Sequence, residues 1–391
     1  MKSKLIYTLI LVLSMQSLAW TQEADSLMKM VLENNRTLMV AREASQTAIL
    51  RAGTGNTPPD PEFEFGYLFG DLEQIGNKVN IMVKQQMDFP TAYAHRSKLK
   101  EIRRSRAELE YLQIRQEVLS EARQLWIRQL HLNQLYRLLD QRLQKAETIR
   151  SDITEMMNAG EVGPLEFSQA NLMVASIESE FEEVLSELEN NRLALLQMTG
   201  GQEIEVRDTL FPKSALILAD SLIANYRRGP GAQLHQQDRN EKERETSLAR
   251  SEHLPKISAG YFSEAIPAEA FRGFTLGISV PLWENTQTVK TAQSALIQSE
   301  AELDLYLYEQ ERMIRQKLNK LGNLQRRIEK LEEALGLANS LNLLTSYLES
   351  GEISLSEYFY NSDFYFRNQQ LLLRYKMESL ALEADLLKIY Y

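Results

Sequence analysis

Apolar positions in this chain follow two distinct periods, and the two periods fall in separate stretches. From Ile314 onward they recur at Leu318, Leu321, Leu324, Ile328, Leu331, Leu335, Ala338, Leu341 and Leu348. Steps of three and four dominate, which is the seam of a coiled coil, and Glu, Lys, Arg and Asn fill the positions between. No Pro or Gly interrupts Thr91 to Asn158, and only Gly322 and Gly336 interrupt Thr286 to Ser350. A helix of about 65 residues rising 1.5 Å per residue extends on the order of 100 Å, a length that suits rods, ducts and spacers. Elsewhere the period is two. Phe63, Phe65, Tyr67 and Phe69 alternate with Glu62, Glu64, Gly66 and Leu68, and Val79, Ile81 and Val83 with Asn80, Met82 and Lys84. Ile257, Ala259 and Tyr261 alternate with Ser258 and Gly260, and Phe274, Leu276, Ile278 and Val280 with Thr275, Gly277 and Ser279. Segments of about ten residues that are apolar on one face and small or polar on the other fit membrane β-barrel strands.

These stretches occur twice in the same order. PEFEFGY at 61–67 matches PKISAGY at 255–261 through Pro61/Pro255, Gly66/Gly260 and Tyr67/Tyr261, at a constant offset. NAGEVGPLEFSQA at 158–170 matches ESGEISLSEYFYN at 349–361 at nearly the same offset. Each half therefore predicts a helix, a strand hairpin, a very long helix, a Gly-containing turn and another helix. The first repeat is assigned to 22–200, with its hairpin at 61–85 and a helical tip near 160. The second is assigned to 231–391, with its hairpin at 255–281 and a tip near 351. A connector at 201–230 holds the breakers Gly201 and Pro212.

Lys2 and Lys4 precede an apolar run from Leu5 to Leu13, followed by small and polar residues. That is the layout of a secretory signal peptide, assigned to residues 1–21, and it predicts export. No later stretch reaches the roughly 18 apolar residues of a spanning helix. The net charge of −10 shows no basic face for nucleic acid. With no cysteine, the chain has no disulfide, thiolate metal site, Cys nucleophile or lipid-modified Cys. His95, His131, His235 and His253 lack metal-site spacing, and there is no phosphate loop, nucleophile elbow or triad. No metal, cofactor or enzymatic activity is expected. Met156 and Met157, the 364–370 segment, Tyr390 and Tyr391 read as packing residues.

Four strands cannot span a bilayer alone, because an open sheet leaves two unpaired edges in hydrocarbon. Eight is the smallest usual closed barrel, so at least two chains are required, and three would give twelve strands and room for a pore. The other reading of the same pattern is a soluble periplasmic coiled-coil scaffold with a small sheet.

With these features in place, the sequence resembles the TolC family of outer-membrane efflux proteins. The likeness lies in NNRTLMVAREASQTAILRAG (34–53), in VKQQMDFPTAYAHRSKL (83–99), in SVPLWENTQTVKTAQSAL (279–296) and in the two Gly-containing turns. The Gln-then-Pro passage at Gln85–Pro90 is similar to the heavy-metal and cation branch, although Pro90-Thr91-Ala92 stands where that branch commonly has Pro-Gly-Lys. The resemblance implies a mixed α and β membrane protein, a homotrimer with a shared 12-stranded barrel in the outer-membrane lipid and an α-helical tunnel across the periplasm of a Gram-negative bacterium. It further implies a passive export duct served by a periplasmic adaptor and an inner-membrane pump. The tips at Gly160, Val162, Gly351 and Ile353 are then the expected adaptor contacts, with Val162 and Ile353 exposed unless a partner covers them. Glu166 and Glu357 are the expected carboxylates of the periplasmic aperture. Each of the two also fits a first-turn Glu favoured by its own helix dipole.

Overall fold

The structure, a computed structural model, describes residues 24–70, 76–207, 211–212, 217–267, 269–281, 283, 286–336 and 340–391. The signal peptide assigned to 1–21, Ala338 of the seam and Leu282 of the second strand-to-helix passage lie outside these residues.

Residues 24–34 are helical (α1), and α2 follows at Arg36–Ala52. The strands β1 (Glu62–Leu68) and β2 (Lys78–Met87) come next, then α3 (Pro90–Ala159) and α4 (Pro164–Met198). The same order recurs with α5 (Ala219–Tyr226) and α6 (Pro230–Ser251), β3 (Lys256–Ile266) and β4 (Glu269–Ser279), α7 (Thr288–Gly336), α8 (Ser340–Glu349) and α9 (Leu355–Leu386). A short 3-10 turn closes the chain at Leu387–Tyr390. One of these elements, α5, falls inside the segment expected to be a polar connector. The fold is mostly helical, with one four-stranded antiparallel sheet in the order β1-β2-β3-β4.

The long helices follow from what the sequence omits and from how each one stops. Pro90 opens α3 with a fixed φ where no backbone donor is needed. Gly160, at φ 79°, closes α3 with a Schellman pair: Gly160 N–H donates to the Met157 carbonyl at 3.0 Å, and Glu161 N–H to the Met156 carbonyl at 2.9 Å. Gly351, at φ 72°, ends α8 identically through the Leu348 and Tyr347 carbonyls, at 3.0 and 2.8 Å. The 70-residue α3 is continuous. Its counterpart in the second half is recorded as α7 and α8, with 337–339 between them outside the described residues.

Two compact units cut across the sequence repeat, each drawing on both halves. Among the described residues, one comprises 24–40, 114–225 and 311–391. Its main core joins Leu27 and Val31 of α1, Leu38, Trp126, Ile127 and Leu130 of α3, Leu195 of α4 and Ala384 of α9. Buried Asn35 fixes the break between α1 and α2. Its Oδ1 accepts from Leu38 N–H at 3.1 Å as an N-cap, and its Nδ2 donates to the Met198 carbonyl at 2.9 Å. Of the residues expected to pack, Phe366 is buried and Tyr391 sits against the main core, whereas Phe364 and Tyr390 are exposed and Met156 and Met157 lie at the surface.

The other unit comprises 41–113 and 226–310 and contains the whole sheet. Its helices are tied by charge. Arg103 and Arg106 of α3 donate to buried Glu241 of α6 at 2.7 and 2.8 Å. Burial acts to raise the Glu241 carboxyl, and the hydrogen bonds from the two guanidinium groups outweigh it, so the group stays below the usual carboxylate range.

Candidate functional site: the sheet face and the hairpin tips

The register sorts the sheet into two chemically different faces. Directly opposed residues in antiparallel strands point the same way, so Phe63, Phe65 and Tyr67 share a face with Val83, Ile81 and Val79. Those residues are opposed in turn by Tyr261, Ser263 and Ala265 of β3, and Tyr261 by Phe274 of β4. Ala259/Leu276 and Ile257/Ile278 continue the face toward the helices. It carries three polar side chains, Gln85, Ser263 and Arg272, and the last two oppose each other near the β3–β4 turn. Gln85 is neutralised locally, since its amide donates to the Pro59 carbonyl at 2.7 Å and the Gln86 carbonyl at 2.8 Å. The opposite face carries Glu62, Glu64, Lys78, Asn80, Lys84, Ser258, Glu264 and Thr275, together with the apolar Leu68, Met82, Phe262 and Phe271, and Lys78 pairs with Glu264 at 2.8 Å.

Among the described residues nothing covers the apolar face. Phe274 is 90% exposed and Leu276 86%, and Phe63, Phe65, Tyr67, Ile278 and Val280 are exposed with them. A face this apolar is buried somewhere in a folded assembly. The other face is built for close quarters. A Cβ on Gly260 would come within 2.6 Å of the Val83 carbonyl oxygen, and one on Gly277 within 2.7 Å of the Ser258 hydroxyl. The four strand glycines, Gly66, Gly260, Gly273 and Gly277, all lie on this side, beside the bulkier Leu68, Met82, Phe262 and Phe271. From Phe274 to Val280 the uninterrupted apolar run along β4 and the residue after it extends about 20 Å, with Arg272 beyond it toward the β3–β4 turn. Among the described residues β1 pairs only with β2 and β4 only with β3, so both outer edges are open.

The helical tips repeat a second device. After Gly160 and Gly351 the chain crosses Val162 or Ile353 and re-enters a helix capped by Gly163 or Ser354. Glu166 Oε2 accepts from Gly163 N–H at 3.1 Å, and Glu357 Oε2 from Ser354 N–H at 2.8 Å and from the Ser354 hydroxyl at 2.9 Å. Hydrogen bonding from the Ser354 backbone and then its side chain holds the Glu357 carboxyl below its ordinary range. Both carboxylates are thus engaged in starting their own helices. Val162 and Ile353, expected to be exposed, are half-buried. Val162 packs on Ile153, Ala170 and Leu355, because the two tips lie together and their helices share that small core. The two hairpins are also linked by Ser356 Oγ donating to Gln169 Oε1 at 3.0 Å. The exposed apolar residue at the first tip is instead Leu165, 66% exposed, held outward in the first turn of α4 by the preceding Pro164. Phe364 and Tyr360 play the same part on α9. A signal for Leu165 was present, since the Pro-Leu pair after the turn sets a helix start with its next side chain outside the seam.

Sequence reasoning gave no hint of a buried cation. Arg142 of α3 is 5% exposed, donates to Glu180 of α4 at 3.2 Å and Asp363 of α9 at 2.8 Å, and stacks over Phe366. It ties three helices at one point, from segments far apart in the chain.

An open four-stranded antiparallel sheet inserted between pairs of long helices is the fold of solved outer-membrane channel proteins. The chain superposes on CusC, from a structure titled for its folding and transmembrane channel formation, with a TM-score of 0.80 at 15% identity over 94% of this chain and 92% of that one. The CmeC outer membrane channel of Campylobacter jejuni gives 0.78 at 15% identity over 94% and 85%. The outer membrane protein VceC of Vibrio cholerae gives 0.77 at 15% identity over 94% and 95%. No protein-family profile and no curated protein sequence matches the chain.

Proposed function

We propose that this chain is one subunit of a TolC-like homotrimeric duct in the outer membrane of a Gram-negative bacterium, exporting solutes passively from the periplasm. One observation carries the reading: a four-stranded sheet with an uncovered apolar face and two unpaired edges. In hydrocarbon each unmatched N–H or C=O costs several kcal/mol. The seven-residue β1 exposes three or four residues' worth of such groups along its edge, so an open sheet is excluded from lipid by roughly tens of kcal/mol. Pairing β1 of one copy with β4 of the next removes both edges, and it also lines up Phe63, Phe65 and Tyr67 beside Phe274, Leu276 and Ile278. Three copies give twelve strands, with the polar face around a wet lumen. The two repeats, 22–200 and 231–391, then contribute equivalent halves to the barrel and the tunnel.

In this reading a periplasmic adaptor engages the tips around Gly160, Val162, Gly351 and Ile353, and an inner-membrane pump supplies the energy. Leu165 adds an apolar contact at the same place. Glu166 and Glu357 ring the aperture while also capping their helices, so their charge faces the entrance only at the angle that the cap permits. Transport needs no catalytic group, cofactor or metal, and the chain works as a conduit rather than as an enzyme.

The test is physical. Mature protein extracted from membranes should require detergent, run as a trimer, and produce discrete conductance steps in planar bilayers. A monomer that stays soluble without detergent and never conducts would establish the periplasmic scaffold instead.

A further inference from the structure

The geometry points to a phospholipid head-group site at the helix-side end of the sheet, formed by Arg250, His253 and Lys290. This inference rests on the sheet lying in a membrane and names the lipid chemistry that its lower rim meets. Arg250 lies in the last turn of α6, His253 in the turn before β3, and Lys290 in the first turn of α7. With Thr286, Gln287 and Val289 they line a cavity of about 460 Å³ that is wide open to the outside. His253 Nε2 sits 3.3 Å from the Thr288 hydroxyl, which fixes the ring at the cavity wall. Arg250 and Lys290 form no ion pair with any described residue. The nearby Arg96, by contrast, is committed to Asp88 and Glu252 at 2.7 and 3.3 Å.

Their position identifies the ligand. Ile257 and Ile278 are the last opposed apolar pair before the helices, and Arg250, His253 and Lys290 lie immediately beyond that end of the apolar face. Trp283, 82% exposed, stands at the same level, where an amphipathic ring belongs at a membrane–water boundary. Head-group phosphates occupy that level in a bilayer, directly outside the hydrocarbon. The first repeat carries the same feature, because exposed Lys98 lies as far beyond the end of β2 as Lys290 does beyond the end of β4. A phosphodiester whose acyl chains run along Ile257, Ile278 and Val280 satisfies the charge and the apolar face together.

Each Lys or Arg near an anionic membrane surface strengthens binding roughly five-fold, so the pair is expected to contribute on the order of twenty-five-fold. The experiment reconstitutes the full mature trimer in phosphatidylethanolamine vesicles containing about one part in five phosphatidylglycerol. After gentle detergent extraction, retained phosphatidylglycerol per trimer is read by native mass spectrometry. Wild type and a distant charge control, Lys145→Gln, should retain it. Arg250→Gln/Lys290→Gln should lose at least ten-fold, each single variant a few-fold, and the charge-keeping Arg250→Lys/Lys290→Arg should lose little. Equal retention in the double Gln variant overturns the site. Displacement from wild type by inorganic phosphate at millimolar concentration also overturns it, leaving a soluble-anion site. Conductance is recorded on the same vesicles, so a wild-type protein that neither inserts nor conducts removes the duct reading itself, an outcome distinct from normal conductance without lipid retention.

Discussion

Replacing Leu276 with Arg distinguishes a sheet in hydrocarbon from a sheet in water. Leu276 stands near the middle of the apolar band, opposite Ala259, and touches little within its own chain. If the face meets water, an exposed Leu→Arg change away from any special feature costs within about 0.5 kcal/mol. If it meets lipid, an Arg near the midplane costs about 2–4 kcal/mol per chain, and thus about 6–12 kcal/mol for a trimer that unfolds as one. Gly273→Arg is the internal control. Gly273 points to the polar face of the same strand, and no heavy atom lies within 4 Å of where its Cβ would be. In a wet lumen that substitution should cost no more than about 1 kcal/mol. The assay is urea unfolding of trimers refolded into phosphatidylcholine vesicles, with the fraction of trimer recovered from cell envelopes as a second readout. Loss confined to Leu276→Arg supports the face assignment. If both variants unfold alike, or if Gly273→Arg is the more damaging, the two faces have been assigned the wrong way round or the sheet is not in lipid.

Further predictions concern the helical unit. Gly200, at φ 70°, meets the Asn34 carbonyl oxygen 2.3 Å from where a Cβ would be, whereas Gly351 has open space, so Gly200→Ala should lower the unfolding midpoint clearly more than Gly351→Ala, whose cost is about 1 kcal/mol of backbone strain. Gly351→Val should leave trimer yield intact and weaken export in cells; unchanged export would remove the tip from the coupling route. Arg142→Met should destabilise by about 1–3 kcal/mol in urea titrations, reduced from the cost of a fully buried pair because Glu180 and Asp363 are half-exposed and can turn to water. Because the Glu357 carboxyl is held below its ordinary range, its cap contributes above the unfolded-state pKa and is lost as pH falls through the lower folded value. Amide exchange at Ser354 should therefore accelerate, beyond the intrinsic pH effect, only in clearly acidic buffer, and Glu357→Gln should show that faster exchange already at neutral pH. If Glu357→Gln also leaves the ion selectivity of the reconstituted channel untouched, the carboxylate is a helix cap and nothing more.

Much of this architecture is decided by short-range rules that a sequence displays openly. The absence of Gly and Pro from 91 to 158 specifies a helix as long as α3, and Gly160 and Gly351 specify where it and its counterpart stop, because only a residue tolerant of positive φ makes that turn cheaply. Alternation assigned the facing residues of all four strands, since a pleat has a period of two whatever surrounds it. Even the caps at Glu166 and Glu357 follow from a spacing of three. Tertiary structure decided what those elements meet. The pairing of β2 with β3 joins strands from different repeats, and Arg142 finds Asp363 from a distant segment. Val162 is sheltered because a second hairpin happens to lie beside it, while Leu165 and Phe364, no less apolar, are left outside. Periodicity fixes the direction of a side chain relative to its own backbone. Burial is a property of the space that direction points into, and within this chain that space is filled by residues far away in sequence.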